Sequence, residues 1–118
     1  MPRDNSFRDY IVEDVLGHIA GITSKAMFSG HGIYLDGLIV GLIIDGTFYL
    51  KANMETMEKY EREGCEAFAY EREGNAKTKS KIITMSYMSV QEETMEDREK
   101  MEARIYESFE ISKKSKKT

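Results

Sequence analysis

Apolar positions first fall into order at residues 6 to 20, where Phe7, Ile11, Val15 and Ile19 recur every fourth residue beside Tyr10 and Leu16. That spacing predicts an amphipathic helix, with Gly21 as its stop and Gly17 as a weak point. From residue 26 to residue 52 the pattern changes to AMFSGHGIYLDGLIVGLIIDGTFYLKA. Two Asp-Gly pairs, Asp36-Gly37 and Asp45-Gly46, interrupt apolar, β-prone runs. A two-residue type I′ turn needs φ > 0 at both central positions, so Asp-Gly is a strong hairpin signal. Two such turns in succession predict a three-strand antiparallel meander.

Two-residue turns also fix a register. Leu35 is expected to face Leu38, Ile33 to face Val40, and His31 to face Leu42. On the second hairpin, Ile44 faces Thr47, Leu42 faces Tyr49 and Val40 faces Lys51. One face then carries Phe28, Gly30, Gly32, Tyr34, Ile39, Gly41, Ile43, Phe48, Leu50 and Ala52. Gly32 would lie opposite Gly41, with Gly30 adjacent. Glycines inside strands mark bulges or close backbone approach. This side is read as the core face, a smooth trough against which a helix packs. The middle strand, residues 38 to 44, is apolar on both faces, whereas a sheet with one wet face should alternate. A second cover is therefore expected, either another helix or another subunit.

Beyond the meander, Asn53 caps a helix over residues 54 to 63, ended by Gly64. Met54, Met57 and Tyr60 form its stripe, and Glu55–Lys59 and Glu58–Arg62 are favourable i,i+4 pairs. EAFAYER (66 to 72) and KIITMSYM (81 to 88) read as strands joined by a polar, locally basic loop. A turn or short helix at 89 to 94 leads into a helix from about 95 to 111, striped by Met101, Ile105 and Phe109. The resulting order, α-β-β-β-α-β-β-α, predicts an α+β fold with helices packed on an antiparallel five-strand sheet.

At 118 residues the chain is one domain by length. The reading is a domain over 1–112 and a basic flexible tail over 113–118. The single Cys65 allows no internal disulfide. No run reaches the length of a membrane span, and the N-terminus lacks the apolar core of a signal peptide. Cytoplasmic location is the expectation. Net charge is −4; without the four lysines at 113, 114, 116 and 117, 13 basic residues face 21 acidic ones, a net of −8. An acidic body repels nucleic acid, and four terminal lysines give weak, salt-sensitive phosphate contacts at most.

Candidate chemistry is sparse. Two histidines, His18 and His31, and one cysteine do not make a standard metal site. His31 sits between two glycines, but GHG at 30 to 32 lacks the strand–GxxxxGK–helix context of a phosphate loop. A Cys65–His31 nucleophile pair would need a contact that spacing does not supply. Carboxylates at the start of the last helix suit the helix dipole. The eight methionines are read as core, with an adaptable binding surface as the sharper alternative. The chain is therefore expected to be neither an enzyme nor, alone, a sequence-specific DNA binder. No cofactor and no membrane contact are expected. Self-association through the sheet or its covering elements is.

Several blocks together resemble the N-terminal domain of TfoX/Sxy-type competence regulators. The signature run is Met27, Phe28, Gly30, His31, Gly32 and Tyr34, then Gly37, then Tyr49, Leu50 and Lys51. Gly64, Phe68 and Tyr70 resemble the family's Gly-x-x-x-Phe-x-Tyr, and Met85, Ser86 and Tyr87 its Met-Ser-Tyr. Val90-Gln91 stands where the family has Val-Pro. The resemblance implies the same element order and a likeness to type III secretion chaperones. It also implies a bacterial, non-enzymatic module linked to competence-gene transcription through a protein partner, with the signature residues in structural or interaction roles. Longer members carry a C-terminal helix-hairpin-helix domain, which this sequence does not show. The alternative is a small-ligand binder or small enzyme using the glycine trough near His31 and Tyr34.

Overall fold

A computed structural model describes residues 6–27, 30–74, 77, 79 and 81–116. Helix α1 (Ser6–Asp9) runs directly into a π-helical segment, Tyr10–Val15. Strands β1 (Ile22–Met27), β2 (Gly30–Leu35), β3 (Leu38–Ile44) and β4 (Thr47–Lys51) follow. Then come α2 (Met54–Arg62), β5 (Ala67–Arg72), β6 (Lys81–Ser89), α3 (Glu92–Met95) and α4 (Arg98–Lys116). The strands form one antiparallel sheet in the order β1-β2-β3-β4-β6-β5.

The α+β class stands, but the sheet has six strands where five were expected. The additional strand is β1, which pairs with β2 so that Met27 lies opposite Gly30. The first strand of the expected meander thus contains a reversal. Phe28 and Ser29, between the two strands, lie outside the described residues. Strand β1 reads Ile-Thr-Ser-Lys-Ala-Met and is at the sheet edge, so its pattern carries no strong apolar alternation.

The first helix is shorter than its stripe suggests. The Leu16 amide donates to the Ile11 carbonyl at 2.9 Å, a π-type closure. Helical structure ends at Val15, and a Cβ on Gly17 would sit 2.1 Å from the Glu13 carbonyl oxygen. Ile11, Val15, Leu16 and Ile19 are nevertheless all buried. At the other end, α4 continues through Lys116 rather than stopping near Ile111.

Both Asp-Gly turns form as their chemistry requires. Asp36 and Gly37 have φ of 49° and 84°, and Asp45 and Gly46 have 50° and 74°. Leu35 faces Leu38, Ile44 faces Thr47 and Leu42 faces Tyr49, as expected. The β2–β3 register then shifts. Tyr34 pairs with Ile39, but Ile33 pairs with Gly41. Val40 is the extra residue of a β-bulge, and the glycine beside it leaves room for two successive residues on one side. Beyond the bulge His31 faces Ile43 and Gly32 faces Leu42, one residue off the expected pairs. Gly32 is not opposite Gly41.

This one-residue slip exchanges the faces of β2 relative to β4. The helix-covered face carries Ile33, Leu35, Val40, Ile43, Phe48 and Leu50, joined by Ile11, Val15, Leu16 and Ile19 and by Met101 and Ile105 of α4. Ser108 of α4 donates its hydroxyl to the Lys51 carbonyl at 2.8 Å, fixing the helix to β4. A second cluster, Ala52, Tyr60, Cys65 and Met88, lies under α2. Asn53 and Thr56 cap α2 reciprocally at 2.9 Å each. Met54, placed on its stripe by the sequence, is 86% exposed; Thr56 is buried with Tyr60 instead. No helix among the described residues is long and apolar enough to cross a membrane.

Candidate functional site

Residues paired across the sheet share a face, so the register also defines the side away from the helices. Gly30, Gly32 and Tyr34 of β2 lie there with Ile39, Leu42 and Ile44 of β3 and Thr47, Tyr49 and Lys51 of β4. Met27 joins them through its pairing with Gly30, and Tyr87 through its pairing with Lys51. The expectation that Gly30 and Gly32 form a trough under a helix is therefore overturned. A Cβ on Gly32 would meet Met27 Cε at 2.9 Å and Tyr34 Cε1 at 3.0 Å. The trough is filled by the sheet's own side chains.

What this face offers is an apolar groove. Met27, Ile39, Leu42 and Ile44 line it on one side, and Phe68, Tyr70 and Met85 on the other, around a volume of about 640 Å³. A row of rings forms one wall. Tyr49 and Phe68 stand 5.2 Å apart between centroids, and Phe68 and Tyr70 stack at 6.1 Å. Phe68 lies where the β5–β6 register shifts between Ala67 and Ala69, leaving the Met85-Ser86-Tyr87 block as the irregular part of β6. Lys51 Nζ lies 5.8 Å from the Tyr87 ring centroid, a cation–π distance. Burial pushes the Tyr87 phenol above its ordinary pKa, with a smaller push from Tyr34. Tyr87 thus contributes as a neutral, largely buried ring. Tyr70 is 45% exposed and Met85 37%, large side chains left facing water.

A second polar cluster joins α2 to α4. Tyr60 donates its hydroxyl to Glu107, and the Arg104 guanidinium lies 4.3 Å from the Tyr60 ring centroid. Arg104 Nη2 also reaches Glu63 Oε1 at 2.7 Å, and Lys59 pairs with Glu107 at 3.8 Å. Burial, then the bond to Glu107, pushes the Tyr60 phenol well above its ordinary value of 10.0. The folded state holds that proton more tightly. The resulting stability is fully present below pH 10 and drains away as the pH climbs beyond it. Tyr60→Phe should cost about 1 kcal/mol near neutrality, one hydrogen bond. It should also flatten the loss of stability above pH 10. Urea titrations from about pH 8 to about pH 11 check this; identical alkaline slopes for both proteins would count against the assignment. Burial likewise pushes the Cys65 thiol up, with Arg104 partly opposing.

Among the described residues nothing brings a nucleophile and a base together. His31 is 6% exposed, pairs with Ile43 toward the covered side, and touches the groove only from its floor. Cys65 sits under α2 against Met88, and β6 is three strand spacings, roughly 14 Å, from β2. His18 approaches Glu102 at 3.9 Å. Among the described residues no group of three or more His, Cys, Asp or Glu could hold a metal ion.

The family model for the TfoX N-terminal domain matches residues 14–111. The chain belongs to the TfoX N-terminal domain family. No curated protein matches the chain. In this TfoX N-terminal domain most signature residues converge on the open face: Met27, Gly30, Gly32, Tyr34, Tyr49, Lys51, Phe68, Tyr70 and Tyr87. The others serve the frame. Gly37 completes a turn at positive φ, and Gly64, with φ of 94°, ends α2. The Ser86 carbonyl accepts from the Ala52 amide at 2.8 Å. Phe28 lies outside the described residues. The groove residues Ile39, Leu42 and Ile44 were not among the sequence candidates. Their signal was the two-sided apolar character of the middle strand.

Proposed function

We propose that this chain is a non-catalytic regulatory module of competence-gene control that works by protein contact through the open face of its sheet. The convergence of the family's signature residues on that face carries the reading. Side chains holding a fold together belong with the helix-covered core, yet Tyr49, Phe68 and Tyr70 stand on the other side. The face is aromatic- and methionine-rich, the composition of protein-binding surfaces. A sequence-specific DNA role for the chain alone is disfavoured by the acidic body. A second reading, an apolar small ligand, is favoured by one observation: the groove's volume of about 640 Å³ falls in the range of ligand pockets.

A strain lacking the gene, complemented with wild type or with Tyr70→Lys at equal protein level, tests this. Competence-gene transcripts and transformation frequency are the readouts. Wild type should restore regulation and Tyr70→Lys should not. Full restoration by Tyr70→Lys would remove the open face from the function. Unchanged transcripts in the deletion strain would remove the competence role. An apolar compound that co-purifies with the protein and is lost in Tyr70→Lys would favour the ligand reading.

A further inference from the structure

We propose that the occupant of the open face is a second copy of this chain, packed sheet against sheet; this rests on the open face being the interaction surface. Area is the first argument. Six strands about 4.8 Å apart and about six residues long, at about 3.4 Å per residue, span on the order of 500 Å². Two such faces bury on the order of 1,000 Å², the lower bound for a specific interface.

Charge is the second argument. Of the 21 acidic residues, only Glu71 lies within a strand. Its register partner is Ile82, while the neighbouring Tyr70 pairs with Ile83, so Glu71 points away from the groove. The carboxylates of α2, α3 and α4 sit on the helical side. Two copies approaching by their helices bring those carboxylates together; two copies approaching by their sheets do not. The charges that the register puts on the open face stand at its borders: Lys25 on the edge strand opposite Gly32, Lys51 at the end of β4 against Tyr87, Lys81 at the start of β6, and Asp45 at the turn beside the groove. Leu42 and Tyr49 stand at the centre. An apolar centre within a polar rim is the layout of a protein interface, and two such sheets would stack about 10 Å apart.

Sedimentation equilibrium on the full chain over a wide concentration range tests the pairing, with melting by circular dichroism as the folding check. Wild type should weigh twice the 13.6 kDa of one chain. Tyr70→Lys should shift to the single-chain mass with its melting transition intact, because its ring is already 45% exposed. Should that variant fail to fold, Met85→Lys carries the same test. Tyr106→Lys, 45% exposed on α4, should remain a dimer. A wild type at single-chain mass up to high concentration overturns the proposal. So does a dimer that survives Tyr70→Lys and Met85→Lys, or one that Tyr106→Lys dissociates. A monomeric wild type combined with failed complementation by Tyr70→Lys would sink self-pairing alone, leaving a different protein as the partner. A dimer whose Tyr70→Lys variant complements fully would sink the functional reading alone.

Discussion

Phe48→Ala should lower the unfolding free energy by about 3–5 kcal/mol, whereas Tyr70→Ala should cost under about 1 kcal/mol. The two rings sit on opposite faces of one sheet. Phe48 is 1% exposed and belongs to the cluster that includes Met101 and Ile105 of α4. Removing its ring leaves a cavity that the surrounding strands and α4 only partly fill. Tyr70 is 45% exposed and contacts Phe68 at the groove wall, so its loss opens no cavity. Denaturant titrations at low protein concentration give both numbers without a contribution from association. Equal costs would mean that the open face is as tightly packed as the covered one, and the two-face account would fail.

Gly30→Ala should destabilise by about 3 kcal/mol, and Gly32→Ala by under about 1 kcal/mol. Both glycines are in β2 on the open face, yet their surroundings differ. A Cβ on Gly30 would lie 1.8 Å from the Ile43 carbonyl oxygen, which is main chain and can move only if the strands part. A Cβ on Gly32 would meet the tips of Met27 and Tyr34, which can rotate aside. Gly32→Ala should therefore leave stability nearly intact while reshaping the groove. Thermal melts of the two variants decide the matter. A large loss at Gly32 with little at Gly30 would reverse the assignment of what crowds each position.

Particular residues show how far the sequence reaches. Asp36-Gly37 and Asp45-Gly46 were legible because their φ > 0 requirement is local chemistry, met at both turns. Asn53 and Gly64 bound α2 for the same kind of reason. The bulge at Val40 was not legible. In a run as uniformly apolar as LIVGLII, a one-residue slip changes no polar-apolar match, so periodicity has nothing to report. That slip moved Gly30, Gly32 and Tyr34 from the expected core to the open face. Strand β1 was missed because ITSKAM, at the sheet edge, mixes polar and apolar residues without a clean alternation. The first helix lost its last turn to a π closure that a four-residue stripe does not encode. The apolar character of the second face of β3 was legible, since Ile39, Leu42 and Ile44 break the alternation of a wet face. The Tyr60–Arg104–Glu63–Glu107 cluster was invisible, because it joins residues of α2 and α4 that no spacing relates.

The methionine methyl groups give the most direct measurement of which face is used. Met27 and Met85 border the open groove, Met101 is buried under the helices, and Met54 is exposed on α2. Methyl-labelled protein can be followed by NMR through a dilution series. If a second copy packs on the open face, the Met27 and Met85 signals should move with concentration while those of Met54 and Met101 stay fixed. Movement of Met54 with Met27 and Met85 unchanged would place the contact on the helical side and contradict the account.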